Sequence, residues 1–236
     1  MNNHDLPLAF CCPQPLRGAC EPPPGATGLA TSVDGKAWVH ASRVPLLDTF
    51  PAHGAQPWEA MQIYAPNLVI HNDTVYDFYN ANSGSTEQSG LATLPLTDFP
   101  GVDPTGRHNS AWRRHAGNPL LPNGPIDVHQ AADPKVYFDA RLGPSGAWVM
   151  LYFGTCPKWK GASINIAFST DLVSWHKAQE PLYKAGGHPN GLDKCDAHKV
   201  WVTGSGKPGD DTLYMYYTAD SCKGRGIALL TSKPLV

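Results

Sequence analysis

Short apolar stretches, separated by turn-forming residues, recur along the chain and predict a series of β-strands. Three segments share one order of strands. Each opens with a polar-to-apolar strand, passes through a turn rich in Gly, Asp or Asn to an aromatic strand, and closes with a third strand containing an alanine. The opening strands begin at Ala65, Asp133 and Ala197, and the aromatic strands begin at Val75, Trp148 and Leu213.

A partial copy of the same unit precedes these segments, because Gly28 to Gly35 leads to Trp38 in the manner of an outer strand. The third-strand alanines lie 62, 75 and 61 residues apart, at Ala30, Ala92, Ala167 and Ala228. Trp38, Trp112 and Trp175 recur at one place in the unit, so we assign them to packing. Four-stranded units at this spacing predict an all-β fold built from β-propeller blades, with a plain β-sandwich as the alternative.

The amino-acid composition disfavours several folds and functions. The 236 residues include 23 Gly and 23 Pro, which disfavour a helical bundle because both residues are costly inside helices. The formal net charge is −2, so nothing directs the chain toward nucleic acid or an anionic membrane. No apolar run approaches the ~20 residues of a membrane-spanning helix. We therefore expect no nucleic-acid partner and no membrane association.

The cysteines and the first residues of the chain indicate the cellular compartment of the protein. Six cysteines include no CxxC pair, so we expect no zinc site. Free thiols in a reducing compartment are the expectation, and a disulfide between two of Cys156, Cys195 and Cys222 stays open. No basic residue precedes the first apolar patch, which disfavours a signal peptide and favours the cytoplasm. We predict that residues 1–27 form an irregular leader rich in Pro and Cys and that residues 28–236 form the propeller domain.

The candidate site follows from the predicted architecture. The first strand of each blade lines the central channel of a propeller, so polar residues that open these strands, or that lie in the loops entering them, reach the channel mouth. The residues in question are Asn67, Asp133, Asp196, His198, Lys135 and Lys199 on the strands, and Trp58, Glu59 and His129 in the loops.

Several of these stretches resemble a known group of enzymes. Ser169 to Trp175, followed by Pro181-Leu182, resembles the outer-strand signature S-x-D-L-x-x-W … P-L of five-bladed β-propeller glycosidases. Ile63 to Asn67 resembles the second-blade W-A-P-D of glycoside hydrolase family 43. Asp133 to Asp139 resembles its third-blade D-P-x-x-F-x-D and the R-D-P motif of family 32. Asp196 to Val200 falls where family 43 has E-G-P. The resemblance runs from about Gly28 to Val236.

The resemblance implies a hydrolase in which one carboxyl group protonates the leaving oxygen and another activates water or attacks the sugar. It places Asp133 at the third-blade aspartate and Asp196 at the general acid, although as Asp instead of Glu. His198 is a rival proton donor, and Trp58 is a candidate for stacking on a sugar ring. Glu59 is a further carboxyl without a motif match, and no counterpart of the first-blade aspartate is found. We expect no metal and no cofactor, since no oxygen-rich loop suits a calcium ion.

The expected function is cleavage of a glycosidic bond in a small oligosaccharide or at a glycan end. One alternative is a carbohydrate-binding or scaffold propeller without catalysis. The other is a glycoside phosphorylase like those of family 130, for which Lys135 and Lys199 would be useful. A five-bladed ring needs roughly 300 residues at this repeat length, so we expect about three and a half blades, truncated at the N-terminus, whose activity is open. The sugar, the linkage, the stereochemical course and the oligomeric state are not predicted.

Overall fold

The computed structural model describes residues 8–9, 25–41, 45–99, 111–158, 161–207 and 209–233. The described elements are almost entirely β-strands, with three short 3-10 turns at Pro51–His53, Pro57–Glu59 and Leu96–Asp98. The chain divides into two compact units, Met1–Leu120 and Leu121–Val236. The predicted leader lies mostly outside the described residues, as do three of the six cysteines, at 11, 12 and 20.

Antiparallel strands build the first unit. A small group pairs in the order β1 (Leu8–Ala9), β2 (Ala30–Thr31) and β3 (Val39–His40), so one short strand lies within the segment predicted to be irregular. A second group, which we call the second blade, pairs in chain order. It consists of β4 (Gln62–His71), β5 (Thr74–Asn82), β6 (Glu87–Pro95) and β7 (Arg113–Arg114).

The second unit contains two further groups of antiparallel strands. The third blade pairs in the order β8 (Gln130–Asp139), β9 (Ala147–Thr155) and β10 (Ala162–Ser169), and two short strands, β11 (His176–Lys177) and β12 (Tyr183–Lys184), pair with β10. The fourth blade consists of β13 (Asp196–Gly204), β14 (Leu213–Asp220) and β15 (Arg225–Thr231). The three predicted strands of each full repeat are thus confirmed.

Each inner strand contains one bulge with the same unusual backbone. Ala65, Asp133 and Lys199 have φ angles of 51°, 52° and 50°, and each lies at a shift of the pairing register. Left-handed conformations are uncommon for residues with a Cβ, so three copies at one place define the equivalent positions of the three blades. A bulge also redirects the side chains beside it. The positions around the bulge are therefore where the blades can carry chemistry.

The bulges correct the predicted alignment of the fourth blade. The sequence pattern aligns Ala197 with Ala65 and Asp133. The bulge shows that the equivalent residue is Lys199, two positions later. The predicted alignment of the third strand is wrong by the same two residues. The equivalent tyrosines Tyr152 and Tyr217 pair with Asn165 and Ala228, so Ala228 corresponds to Asn165 and not to Ala167. Apolar periodicity does not register a bulge, which inserts a residue without changing the character of the strand.

A fully buried carboxylate lies six residues before each bulge. Glu59, Asp127 and Asp193 are all 0% exposed. Each accepts a hydrogen bond from the tyrosine at one equivalent position of the middle strand, and these tyrosines are Tyr79, Tyr152 and Tyr217. We call this arrangement the carboxylate–tyrosine network. It ties the loop that enters the inner strand to the middle strand of the same blade.

In the third blade the network includes a cation. Asp127 accepts hydrogen bonds from Tyr152 at 2.9 Å, from the backbone N–H of Gly124 at 2.5 Å, and from Lys177 of β11 at 2.7 Å. Burial and the charge of Asp127 raise the pKa of Tyr152, so its hydroxyl remains a donor. Burial lowers the pKa of Lys177, although Asp127 opposes that shift. The inner-strand loop, the middle strand and the outer strand are therefore held by one carboxylate.

The other two blades use variations of this arrangement. In the second blade, Arg114 of β7 pairs with Glu59 at 3.0 Å in the place of Lys177. In the fourth blade no cation takes part in the described contacts of Asp193. Its carboxylate accepts hydrogen bonds from Tyr183 of β12 at 2.6 Å and from Tyr217 at 3.0 Å. Tyr183 belongs to the third blade, so this network also joins the two blades of the second unit.

The outer-strand signature forms a hydrogen-bonded turn. The Asp171 carboxylate accepts hydrogen bonds from the backbone N–H groups of Val173 and Ser174, which lower its pKa to about 2, and the Trp175 indole donates to the Leu172 carbonyl. Ser32, Asp34 and Trp38 repeat the pattern in the partial copy. Trp112 differs, since it is buried in the core of the first unit.

Removal of the Asp127 carboxylate is expected to destabilise the protein strongly. Asp127→Ala leaves Lys177 and the Tyr152 hydroxyl without their buried partner, and breaking such a pair typically costs about 3–5 kcal/mol. The matched control is Glu180→Ala, which removes an exposed carboxylate paired with Lys158 and Lys184 and should cost about 1 kcal/mol or less. Urea unfolding measures both values. Equal losses in the two variants would show that the network does not hold the blade.

Candidate functional site

The second unit brings Asp133 and Lys199 together at the two bulges of β8 and β13. The Lys199 ammonium nitrogen lies 3.7 Å from Oδ2 of Asp133. The Asp133 side chain is only 2% exposed, whereas that of Lys199 is 54% exposed. An almost fully buried carboxylate therefore faces a cation that reaches solvent, which is an arrangement that a charged or polar ligand can enter.

His198 directly precedes Lys199 on β13 and is 92% buried, with 8% of its surface exposed. Its ring packs edge-on against Phe153, with 5.8 Å between the ring centroids. Phe153 is paired across β8 and β9 with Ala132, the neighbour of Asp133. Within the part of the chain that the structure describes, the Nε2 atom of His198 is buried and has no hydrogen-bond partner. A ligand group in this position would complete the hydrogen bonding of the imidazole.

Burial lowers the pKa of His198 from its ordinary value of 6.5, because the charged imidazolium is poorly solvated. Asp196 opposes this shift, while Arg225 and Lys199 add to it through their positive charge. The imidazole is consequently neutral at neutral pH and takes up a proton only in more acidic solution.

Asp196 is held by the backbone of the third blade. Its Oδ1 accepts a hydrogen bond of 2.7 Å from the N–H of Ala162, the first residue of β10. Gly161 has a φ of 76°, and a Cβ there would lie 1.6 Å from the carbonyl oxygen of Cys195. The close approach of the two blades thus requires glycine, and Asp196 anchors it.

A disulfide bond joins Cys195, immediately before Asp196, to Cys222 in the turn between β14 and β15. The Cα atoms are 5.3 Å apart. The expectation of free thiols is therefore wrong for these two cysteines. The bond agrees with the alternative of a disulfide between two of Cys156, Cys195 and Cys222. Cys156 is free and buried. Its thiol donates to the carbonyl of Pro125.

The remaining predicted residues of the second unit lie at its surface or along β8. His129 is exposed, and its backbone N–H donates to the carbonyl of Thr155 at 3.2 Å. Lys135 is half-buried on β8, where it pairs with Leu151 of β9. We treat both as candidates for substrate contact alone.

The first unit contains Glu59, Trp58 and Asn67. Glu59 is a member of the carboxylate–tyrosine network, and its oxygens accept from Tyr79, Arg114 and the backbone of Gln56. This side chain has no exposed surface, and its carboxylate is taken up by these structural contacts. We therefore leave Glu59 out of the proposed catalytic set.

Trp58 has a packing role in the first unit. Its ring stacks on Tyr79, with 6.0 Å between centroids, and packs against the buried core. A Cβ at Gly90 would lie 2.7 Å from the Trp58 ring and 2.6 Å from Tyr79, so glycine makes room for the stack. Asn67 is half-buried on β4, two residues beyond the bulge and paired with Phe78.

Sequence reasoning missed Phe153 and the structural role of the buried carboxylates. The signal for the carboxylates was present, since a large apolar residue and an acid precede each bulge at one spacing: Trp58-Glu59, Ile126-Asp127 and Leu192-Asp193. Phe153 has no comparable signal, because it is one apolar residue in an apolar strand.

The described residues contain no group of three or more His, Cys, Asp or Glu side chains that could hold a metal ion. They also contain no helix of the length and apolarity that a membrane span requires.

Comparison with solved structures identifies the fold. A thermostable family-43 glycoside hydrolase matches with a TM-score of 0.62 and 15% identity over 89% of this chain and 62% of its own. Fructan 1-exohydrolase IIa from Cichorium intybus matches with a TM-score of 0.60 and 19% identity over 89% of this chain and 36% of its own. The GH32 β-fructofuranosidase of Bombyx mori gives 0.59 and 15%, over 88% and 39%.

No family model matches the chain, and no curated protein matches it in sequence. The fold is nevertheless shown, since the chain has the all-β propeller fold that these glycoside hydrolases of families 43 and 32 have. The resemblance drawn from the sequence motifs is confirmed at that level. The chain spans between about a third and two thirds of these three neighbours' own lengths.

The buried His198 is expected to weaken the fold as the solution becomes acidic. The unfolded chain takes up a proton as the pH falls through 6.5, while the folded chain, with its lowered pKa, does so only at lower pH. The free energy of unfolding therefore decreases below pH 6.5. Urea unfolding on both sides of this pH should show a smaller decrease in His198→Asn. The exposed His176→Asn should retain the full decrease, and identical slopes in the two variants would contradict the burial of His198.

Loss of the disulfide is expected to lower stability by about 3.5 kcal/mol in the chain-entropy model, since the bridged residues are 27 positions apart. A reductant should lower the urea midpoint of the wild type and leave the double variant Cys195→Ser/Cys222→Ser unaffected. An equal response of both proteins would assign the effect to other cysteines.

Proposed function

We propose that the protein hydrolyses a glycosidic bond of a small oligosaccharide or of a glycan end, at the site formed by Asp133 and His198. The observation that carries the proposal is the 3.7 Å contact between the buried Asp133 carboxylate, at its left-handed bulge, and Lys199. His198, which precedes Lys199 in the chain, is almost fully buried, and its Nε2 atom has no described partner. The fold supports it, because the structural neighbours are glycoside hydrolases. Two of these enzymes, fructan 1-exohydrolase IIa and the Bombyx mori β-fructofuranosidase, have solved complexes with 1-kestose and with sucrose, respectively.

Asp133 supplies negative charge where the reaction develops positive charge. Cleavage of a glycosidic bond passes through an oxocarbenium-like transition state. A carboxylate held rigidly in a site with little water stabilises such a charge more than it stabilises the neutral ground state. Because Asp133 is fixed by the bulge, little reorganisation is needed during the reaction.

His198 supplies the proton for the leaving oxygen. Its imidazolium form donates the Nε2 proton to the leaving oxygen as the bond to the anomeric carbon breaks. Water then adds to that carbon and releases one of its protons to solvent, from which the imidazole is protonated again. Asp196 lies two residues away and favours the protonated form through its charge. We assign Asp196 a positioning role, because one of its oxygens is held by the Ala162 N–H.

A phosphorylase is the second candidate, and the exposed Lys199 ammonium favours it. A cation that reaches solvent beside the catalytic carboxylate could hold an inorganic phosphate in the place of water. Assays with and without phosphate separate the two reactions, because the phosphorylase releases a sugar phosphate and requires the anion.

Asp133→Asn is expected to lower kcat about 10²–10³-fold, since it removes the charge with little change in volume. A panel of aryl glycosides and oligosaccharides provides the substrate for this measurement. The matched control is Asp139→Asn on the same strand. The Asp139 carboxylate pairs with the partly exposed Arg141, and this variant should retain activity. Turnover that survives Asp133→Asn would remove this residue from the mechanism.

The activity should also decline as the pH rises above the pKa of His198, because the proton donor is then lost. The lowered pKa places the alkaline limb of the kcat/KM profile below pH 6.5. Residual activity of His198→Asn should lack that limb. An unchanged limb in this variant would assign the proton to another group.

A further inference from the structure

The hairpin between β4 and β5 carries an N-glycosylation sequon, Asn72-Asp73-Thr74, which is the only Asn-x-Ser/Thr tripeptide of the chain. Such tripeptides also arise by chance, so the motif alone does not establish an acceptor. An acceptor asparagine must in addition be exposed, must have room for a bulky glycan, and must belong to a chain that reaches the compartment of the transferase. Three features of the structure meet these conditions.

The sequon lies at the tip of the hairpin, in solvent. His71 pairs with Thr74 as the last pair of the two strands, so Asn72 and Asp73 form a two-residue turn. Both turn residues have positive φ angles, 45° and 55°, as in the type I′ turns of tight hairpins. Both are exposed, and Thr74 is half-buried. The first condition, exposure of the acceptor, is therefore met.

The turn is held through its backbone. The Asp73 carbonyl accepts a hydrogen bond of 2.8 Å from the N–H of Leu96, and the Asn72 carbonyl accepts one of 3.4 Å from the Thr74 hydroxyl. The second of these is long and therefore weak, so the hydroxyl of the sequon is not strongly engaged. Among the described hydrogen bonds, none uses the side-chain amide of Asn72. A glycan on this amide consequently breaks no contact of the turn.

The tip of the hairpin is also far from the bulge of its own blade. Asn72 follows Ala65 by seven residues, which at ~3.3 Å per residue is roughly 20 Å along β4. Glu59 precedes β4, so the carboxylate–tyrosine network lies toward the opposite end of that strand. A glycan at Asn72 therefore has room, and it leaves the network and the bulge of the second blade undisturbed.

The disulfide between Cys195 and Cys222 is the independent observation for the third condition. Disulfides persist in oxidising compartments and are rare where thiols are kept reduced. The bond joins the residue before β13 to the turn after β14, and Cys156, which is free, is buried. We infer an oxidising compartment from this bond, in place of the cytoplasm that the first residues favour. A sequon in a surface turn is a glycan acceptor in proteins of such compartments.

We propose that Asn72 is a site of N-linked glycosylation, in a compartment that also maintains the disulfide. The donor is a lipid diphosphate-linked oligosaccharide bound to a separate transferase. The amide nitrogen of Asn72 attacks the anomeric carbon of the donor sugar, and the bond from that carbon to the diphosphate oxygen breaks. The lipid diphosphate leaves with the electron pair, and the amide nitrogen gives up one proton to a base of the transferase. The oligosaccharide is then attached at the hairpin tip.

The alternative is that Asn72 serves only to form the turn. Besides Gly, Asn and Asp are the residues that most readily adopt left-handed conformations, so a turn by itself would explain Asn72 and Asp73. The variant Asn72→Asp separates the two roles, because aspartate keeps the preference for the turn and has no amide to glycosylate. Thr74→Ala provides a second separation, since it leaves both turn residues in place and removes the hydroxyl of the sequon.

The mass of the full chain, produced in the organism that encodes it, tests the proposal before and after treatment with a peptide-N-glycosidase. The wild type should lose the mass of one glycan. Asn72→Asp and Thr74→Ala should show no such loss, whereas Thr74→Ser should keep the modification at least in part. The matched control is Asn190→Gln, which changes an exposed turn asparagine outside any sequon and should remain fully modified. Circular dichroism identifies any variant that fails to fold.

Four results would overturn the proposal. A wild type with unchanged mass excludes the glycan. A modification that survives Asn72→Asp places it on another residue, and its loss in Asn190→Gln shows that the sequon does not determine it. Free thiols at Cys195 and Cys222 in protein taken from these cells, trapped by alkylation at lysis, would contradict the oxidising compartment. None of these outcomes bears on catalysis by Asp133, which a separate activity assay measures.

Discussion

Three carboxylates without exposed surface, each fixed by a tyrosine of the neighbouring strand, determine how the blades are held together. A buried charge without partners costs several kcal/mol, so Glu59, Asp127 and Asp193 can be buried only if their tyrosines stand at one position of the middle strand. That condition fixes the register of the strands. It also fixes the loop that leads to the inner strand, and the bulge follows six residues later. The geometry of the candidate site is thus a consequence of the burial of charge elsewhere in the blade.

The bulge separates scaffold from chemistry. Ala65, Asp133 and Lys199 share one backbone conformation, but their side chains are a methyl group, a carboxylate and an ammonium. The backbone position is therefore set by the repeat, and the residue placed there decides what the blade contributes. In the second unit, two successive blades place opposite charges at this position, and the 3.7 Å contact between them defines the site. His198 gains its unusual environment because it directly precedes the second of these bulges.

Much of the fold could be predicted from the sequence, since strands, turns and repeats each have a local signal. The nine long strands follow the predicted order, and the outer-strand stretch around Asp171 and Trp175 forms a hydrogen-bonded turn. The two-residue error in the fourth blade arose because a bulge leaves no trace in periodicity. The burial of Glu59 against Tyr79 could not be predicted, because an acid before a strand has the same sequence pattern whether it faces solvent or a buried tyrosine. The disulfide depends on the distance between residues 27 positions apart, which only the folded chain determines.

The constant interval between buried acid and bulge also has a use outside this molecule. No family model or curated protein matches this chain in sequence, and its structural neighbours share fewer than one in five residues with it. The pattern consists of an apolar residue and an acid, five further residues, a bulge position, and a tyrosine in the next strand. It depends on backbone geometry instead of overall sequence identity. A search for this pattern could detect distant blades whose ancestry ordinary alignment no longer reveals, and it would indicate in each one which residue occupies the chemically variable position.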